Sequence, residues 1–448
     1  MNRLRNVARK TVARKNVARK GRWLAALTLI NVFAVALTVS AEQWPSWRGP
    51  SQNGVSDQEK LPVSWSRTEN VLWRLPLPGP SGATPVVWDD RIFCTSVGEN
   101  GKDLLLICAN TSGKRLWTRK VGGGNEAVRG DEGNFASPSP STDGEHVWTF
   151  MANGLLACYD RDGKEIWKKD MQEEYGAFDI QFGLSSTPIL DGDRLYVQLI
   201  HGPWNHDQHT GLVIALDKKT GDEVWKHARI TDAIDECKHS YSSPVIYRDG
   251  EHKFLLTHGA DYVIAHRLKD GSEIWRCGNL NPKGDYNSTL RFVASPSYAP
   301  GLIVVPTAKN GKVVGLRPDG AGDITNSETY NLWTYPRNTP DVPSPLIHDG
   351  LVYLCRENGN LMVLDAQTGE LVYEERTTRD RHRASPLYAG GNIYLTARNG
   401  TVTVVKAGRG FEVLSRNEIG EHITSSPAVA DGRIYLRTFE ALYAIGRE

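Results

Sequence analysis

Arginine, histidine and aromatic residues collect just upstream of one recurring step in this chain, a Pro preceded by Ser or Thr. Arg291 and Phe292 come before Pro296, Arg381, His382 and Arg383 before Pro386, and Glu421 and His422 before Pro427. His239 and Tyr241 come before Pro244, Gln181 and Phe182 before Pro188, and Asp131, Glu132 and Phe135 before Pro138. Guanidinium groups that converge suit a carboxylate, sulfate or phosphate, gripped through forked, charge-assisted hydrogen bonds. Phe135, Phe182, Tyr241 and Phe292 add faces on which a sugar or another ring can stack. The same charges can instead pair with one another and stiffen the place where they meet, so a ligand site and a structural network both stay open.

Other candidate chemistry is sparser. Residues 200–209 carry His201, His206, Asp207 and His209, donors that suit a transition metal. The stretch reads as a solvated surface insertion between strands, so no metal site is expected. Six cysteines (Cys94, Cys108, Cys158, Cys237, Cys277, Cys355) show no C-x-x-C spacing, which argues against a zinc cage or a c-type haem. Cys108 and Cys158 stand nine residues before Trp117 and Trp167, equivalent places in successive repeats, and read as small core hydrophobes. There is no G-x-S-x-G elbow and no H-E-x-x-H, and no Gly-Lys pair is followed by Ser or Thr, so the phosphate-loop pattern is missing. A binding role is expected ahead of a catalytic one. Catalysis stays as the alternative, because a site assembled from distant loops leaves no linear motif.

These residues need a frame, and the Pro steps supply it. Ser/Thr-Pro recurs at Pro85, Pro138, Pro188, Pro244, Pro296, Pro345, Pro386 and Pro427, with gaps of 53, 50, 56, 52, 49, 41 and 41 residues. A period of this size over most of a chain marks a propeller or an array. One unit is legible in full. Pro188-Ile189-Leu190 enters, Asp191-Gly192-Asp193 turns, Arg194-Leu195-Tyr196-Val197 returns, Leu212 to Asp217 runs out again, and Glu223-Val224-Trp225 ends the unit. Short β-branched runs joined by Asp/Gly turns are hairpins, and four such strands make a blade. The predicted fold is all-β: a single eight-bladed β-propeller of four-stranded antiparallel blades over residues 71–448. The eighth unit lacks an outer strand, and Val71-Leu72-Trp73-Arg74-Leu75 can supply it, leaving no open sheet edge. Trp117, Trp167, Trp225, Trp275 and Trp333, with Tyr373 in the sixth unit, are expected to fill the wedges between blades. The segments upstream of each Pro then gather at one mouth of the central channel, and Arg291, Arg381, His382, Arg383, His422, His239, Tyr241, Glu132 and Phe182 are the candidate ligand-binding residues.

The first 41 residues are of another kind. They hold nine Lys and Arg and no acid, then an apolar run at 23–39 and the small residues Ser40 and Ala41. That order describes a secretory signal peptide, with residues 42–70 left as an N-terminal arm. No Cys follows the expected cleavage point, so a lipid anchor there is not expected. Removing the segment turns the formal charge of +1 into −8 for residues 42–448. A basic footprint for nucleic acid is therefore missing. The expected protein is exported to the periplasm or the exterior and monomeric. It has no transmembrane span once the signal is cut, and is tethered to the membrane only if that segment stays.

Asp217-x-x-Thr220-Gly221-x-x-x-Trp225, matched by Asp365-x-x-Thr368-Gly369-x-x-x-Tyr373, resembles the repeat of the PQQ-like β-propellers. That superfamily includes quinoprotein alcohol dehydrogenases and the propeller lipoprotein of the outer-membrane assembly machinery. The opening Trp44-Pro45-Ser46-Trp47-Arg48-Gly49-Pro50 resembles a family of secreted planctomycete-type members. The resemblance implies this fold and raises PQQ with calcium as a cofactor. The quinoproteins' adjacent cysteine pair is missing here, so neither PQQ nor calcium is expected. What it leaves is a binding or scaffolding propeller of the cell envelope, with a protein partner or a small acidic or sugar ligand. The alternative is an enzyme of carbohydrate or quinone-dependent redox chemistry at the same mouth.

Overall fold

A computed structural model describes residues 43–128, 133–203 and 210–447. Its strands form eight four-stranded antiparallel sheets, one per repeat, and the only α-helix among the described residues is the five-residue Met171–Tyr175. Blade three runs Ile189–Asp191, Arg194–His201, Thr210–Asp217, Glu223–Ala228, in the order read from the sequence. In blade four, Gly322–Asp323 adds a short parallel strand outside Glu273–Cys277. No helix among the described residues is long and apolar enough to cross a membrane.

The ring closes as expected. Val71–Pro76 pairs antiparallel with Ala441–Ile445, from Val71 opposite Ile445 to Pro76 opposite Ala441, and so completes blade eight.

The recurring Trp and the Asp-Thr-Gly turn are two halves of one joint. Trp117, Trp167, Trp225, Trp275 and Trp333 each donate the indole N–H to a turn carbonyl of the next blade: Arg161, Lys218, Leu268, Pro318 and Ala366, at 2.8 to 3.1 Å. Such a bond is worth about 0.5–1.5 kcal/mol net, and the buried ring adds its apolar area. The turn's Gly lies flat beneath that ring. Gly221 has φ +77, and a Cβ on it would stand 2.8 Å from Trp167 Cδ2. Only glycine meets both demands. All six cysteines are buried and unpaired, and burial raises the thiols of Cys94 and Cys108 to about 11 and about 12.

The Ser/Thr-Pro step builds the inner wall. The backbone N–H of the residue before Pro donates to the side-chain hydroxyl at the same place in the next blade. The bonds run Thr84 to Ser139 (2.9 Å), Ser139 to Thr187 (3.2 Å), Thr187 to Ser243 (2.9 Å) and Ser243 to Ser295 (2.8 Å). They continue Ser295 to Ser344 (2.8 Å), Ser344 to Ser385 (2.9 Å) and Ser385 to Ser426 (3.0 Å). One register differs from the sequence reading: in blade two the belt uses Ser139-Pro140, not Ser137-Pro138. The neighbouring Ser-Pro step hid this, since both fit the repeat.

Candidate functional site

The arm closes one end of the channel. Trp44 pairs with Val87 of blade one, and Pro45 O accepts from Thr142 of blade two. Arg48 then reaches the carbonyls of Ser344 and Pro345 before blade six, and Gln52 Oε1 accepts from Ile246 of blade four. Val55 bridges Tyr388 of blade seven, and Gln58 reaches Gly432 of blade eight. Trp47 lies between these anchor points and forms part of the channel lining, so it floors a blind cup of about 240 Å³. Arg48 is 4% exposed behind it and is held by carbonyl oxygens alone, and burial pushes its guanidinium down to about 9.

Six of the seven accepting belt residues line the cup: Ser139, Thr187, Ser243, Ser295, Ser385 and Ser426. A second ring stands two residues earlier in each repeat and includes Ser137, Ser185, Tyr241, Arg383 and Thr424. Alternation explains this ring, because residues i and i−2 of an extended segment share a face.

The walls are tied together blade to blade. Tyr241 N–H donates to Phe292 O (2.9 Å), which aligns the lead-ins of blades four and five and so sets Tyr241 beside Arg291. Arg291 Nη1 donates to Glu236 Oε1 (3.0 Å), and its guanidinium carbon stands 5.1 Å from the Phe182 ring centre. The Phe182 and Tyr241 rings are 5.9 Å apart. Next to the blade-five lead-in, Asp341 of the blade-six lead-in lines the cup, its carbonyl accepting from Ala294 (3.2 Å). Its own N–H and that of Val342 donate to Glu357 Oε1 at 2.8 and 2.9 Å, and burial raises the Glu357 carboxyl.

Of the candidate residues, Phe182, Tyr241, Arg291 and Arg383 line the cup. Arg381 is exposed and lines an adjoining groove with Lys309, Arg356 and Glu357, which shares Asp341 and Arg383 with the cup. His382 is turned into the wall, bonded to Thr377 Oγ1 (2.8 Å) and Thr396 O (3.0 Å), and burial holds it down at about 4. His239 is buried against Gly202 O (3.0 Å), with its pKa lowered by burial. His422 is exposed with its ring 6.1 Å from Phe439, and it does not line the cup. These three histidines are therefore not brought to one ligand position. Glu132 and Asp131 lie outside the described residues, as do His206, Asp207 and His209 and the segment expected to be a signal peptide. Trp47 and the belt hydroxyls were not singled out as site residues. The belt was in view as the repeat itself, and its two-residue offset was the available signal.

Calcium asks for six to eight oxygen ligands, carboxylates among them. Among the described residues the cup lining holds one carboxylate, Asp341, and no group of three His, Cys, Asp or Glu is placed to hold a metal. The described part of the lining does not by itself supply that ligand set.

Fold and site define an eight-bladed propeller of PQQ-like repeats with a channel blind at one end. The family model described as outer membrane protein assembly factor BamB matches residues 101–300, 152–410 and 287–448, and the chain belongs to that family. The overlapping matches are what a repeat produces when a model slides by whole blades. BamB of Moranella endobia (strain PCIT) is 25% identical over 267 residues, covering 58% of this chain and 61% of that protein. BamB of Yersinia pestis is 25% identical over 268 residues, covering 58% and 60%. The chain thus spans about three fifths of the length of these relatives. Among solved structures, BamB of Moraxella catarrhalis aligns with a TM-score of 0.59 at 14% identity, covering 84% of this chain and 97% of that one. The quinohemoprotein alcohol dehydrogenase of Comamonas testosteroni aligns at 0.66 and 13%, covering 91% and 81%. These two likenesses concern the fold alone.

Proposed function

We infer that the protein is an exported, non-catalytic binding propeller of the cell envelope, which holds a protein partner on its outer rim and a small ligand in its channel. It acts as a monomer and without a quinone. The observation that carries the rim reading is a row of exposed aliphatic residues, each just before the wedge Trp of its blade. Leu116, Ile166 and Val224, on the outer strands of three successive blades, are 37, 40 and 41% exposed. A row of exposed apolar side chains on the edge strands of a rigid ring suits a partner chain. The relatives are named as outer membrane protein assembly factors, which supports an envelope role. The basic and apolar leader supports export.

Affinity capture from the envelope fraction tests this, comparing the native chain with one carrying Leu116→Asp, Ile166→Asp and Val224→Asp. A partner retained by the native chain and lost from the rim variant is expected. Equal capture by both, or a chain found only in the cytosol, would overturn the reading.

A further inference from the structure

The uncharged polar groups on the wall of the cup leave bonds unmade. Each belt oxygen that lines it accepts one backbone N–H, so its hydroxyl hydrogen is left to donate, and no described residue accepts that hydrogen. Asp341 supplies the opposite kind of group. It is 8% exposed, lines both the cup and the groove beside it, and its carboxylate takes no bond from a described residue. The guanidinium groups of the cup are already engaged, Arg291 by Glu236 and Arg383 by partners of its own, so they do not call for an acid. What the wall leaves open is a set of hydroxyl donors and one acceptor. The Phe182 and Tyr241 rings, 5.9 Å apart, add an apolar arc beside them. A second apolar surface continues from that arc. Val128 and Phe182 are shared between the cup and a groove of about 340 Å³ on the lead-ins of blades two and three, which Phe135, Phe178 and the exposed Gln181 also line.

We propose that the cup and this groove bind the end of a neutral glycan, with the terminal hexose in the cup and the next unit in the groove. This rests on reading the channel as a binding site, and it names the ligand class. Sugar hydroxyls donate to Asp341 in charge-assisted O–H···O⁻ bonds and accept from the belt. The C–H face of the terminal ring lies on Phe182 and Tyr241. Trp47 blocks the far end, so the chain enters end-on, and its second unit passes over Phe182 onto Phe135 and Phe178. A hydroxyl turns to give or take a hydrogen bond as each neighbour requires. A peptide brings an N–H with every carbonyl, and the wall offers those N–H groups little beyond Asp341. An amine would answer Asp341 but would set a further positive charge beside Arg291 and Arg383.

Calorimetric titration of the purified full chain tests the proposal. The neutral probes are maltotetraose, cellotetraose, mannotetraose and galactotetraose with their monosaccharides, and the controls are tetra-galacturonate, a glucosamine tetramer and tetra-alanine. Saturable binding of at least one neutral tetrasaccharide is expected, tighter than its own monosaccharide and tighter than every control. Asp341→Asn should weaken tetrasaccharide and monosaccharide alike by about tenfold, because it removes a charge-assisted bond in the cup. Phe178→Ala should weaken the tetrasaccharide and leave the monosaccharide unchanged, a split that a general loss of structure does not produce. If either variant fails to fold, saturation-transfer NMR on the unaltered chain replaces it, with the strongest transfer expected to ring C–H protons of the two terminal units. Transfer spread evenly along the chain, equal affinity for tetrasaccharide and monosaccharide, tighter binding of any control, or no binding of a neutral saccharide would overturn the proposal. None of those results touches the rim reading, which envelope capture tests separately.

Discussion

Trp73 Nε1 donates to Thr111 O at 2.9 Å, so the first strand of the ring is fastened to blade one as well as to blade eight. The two ends of the ring thus meet in a joint built like the others, with Gly113 beneath the Trp73 ring as Gly221 lies beneath Trp167. Trp73→Ala should cost about 2–4 kcal/mol, less than a fully buried Trp because the ring is partly exposed. It should also make residues 60–76 sensitive to protease. Denaturant unfolding with limited proteolysis checks both, and an unchanged midpoint would contradict the joint.

The hydroxyl belt predicts opposite outcomes for two similar changes. Ser295 Oγ is the acceptor for the buried Ser243 N–H, so Ser295→Ala should cost about 1–3 kcal/mol for the orphaned donor. Thr84 Oγ1 is buried and has no hydrogen-bond partner among the described residues, since the belt stays open between blades eight and one. Thr84→Val should therefore be neutral or stabilising. Paired thermal melts decide, and equal losses would dismiss the belt.

Glycine substitutions separate backbone strain from crowding. Gly221 and Gly432 both have positive φ, +77 and +68, but only Gly221 has a ring against it. Gly432→Ala should cost about 1 kcal/mol from conformation alone, and Gly221→Ala should add about 1–3 kcal/mol for displacing Trp167. Unfolding free energies of the two variants give the comparison directly.

Acid should destabilise the fold. Burial pushes His258, His266 and His382 down to about 3, about 3 and about 4. They are neutral in the native state, while unfolded histidines take up protons below about 6.5. The unfolded chain therefore binds more protons as pH falls from about 6.5 towards 4, and stability is lost over that window. Asp261 works the other way. Burial raises its carboxyl to about 6, against the opposing pull of the Tyr286 hydroxyl that donates to it (2.6 Å), so acidification between about 4 and 6 favours the native state. Three imidazoles outweigh one carboxyl, and a net loss of roughly 1–3 kcal/mol per pH unit is expected between pH 6 and 5. Urea unfolding at pH 7, 6 and 5 measures it, and His382→Gln should flatten the slope by about one proton.

The ring was legible because its parts repeat. The Trp, the Gly turn beneath it and the Ser/Thr-Pro step recur at readable intervals, and they make the same Trp bond at six blade junctions and the same belt bond at seven. The site was less legible for two physical reasons. Proximity to a Pro step does not tell which face of an extended segment a side chain takes. Arg383 shares the face of Ser385 and lines the cup, while His382, one residue earlier, turns into the wall and bonds Thr377. The arm carries no repeat, so nothing in Trp47 or Arg48 announced that the chain would cross the channel and close it.

The most direct test of the envelope-binding account places a photocrosslinking residue at Ile166 on the rim, and separately at His422 near the channel mouth, in cells. The account predicts one discrete adduct with an envelope protein from Ile166 and none of that adduct from His422. The same adduct from both positions, or none from either with the chain in the cytosol, would contradict it.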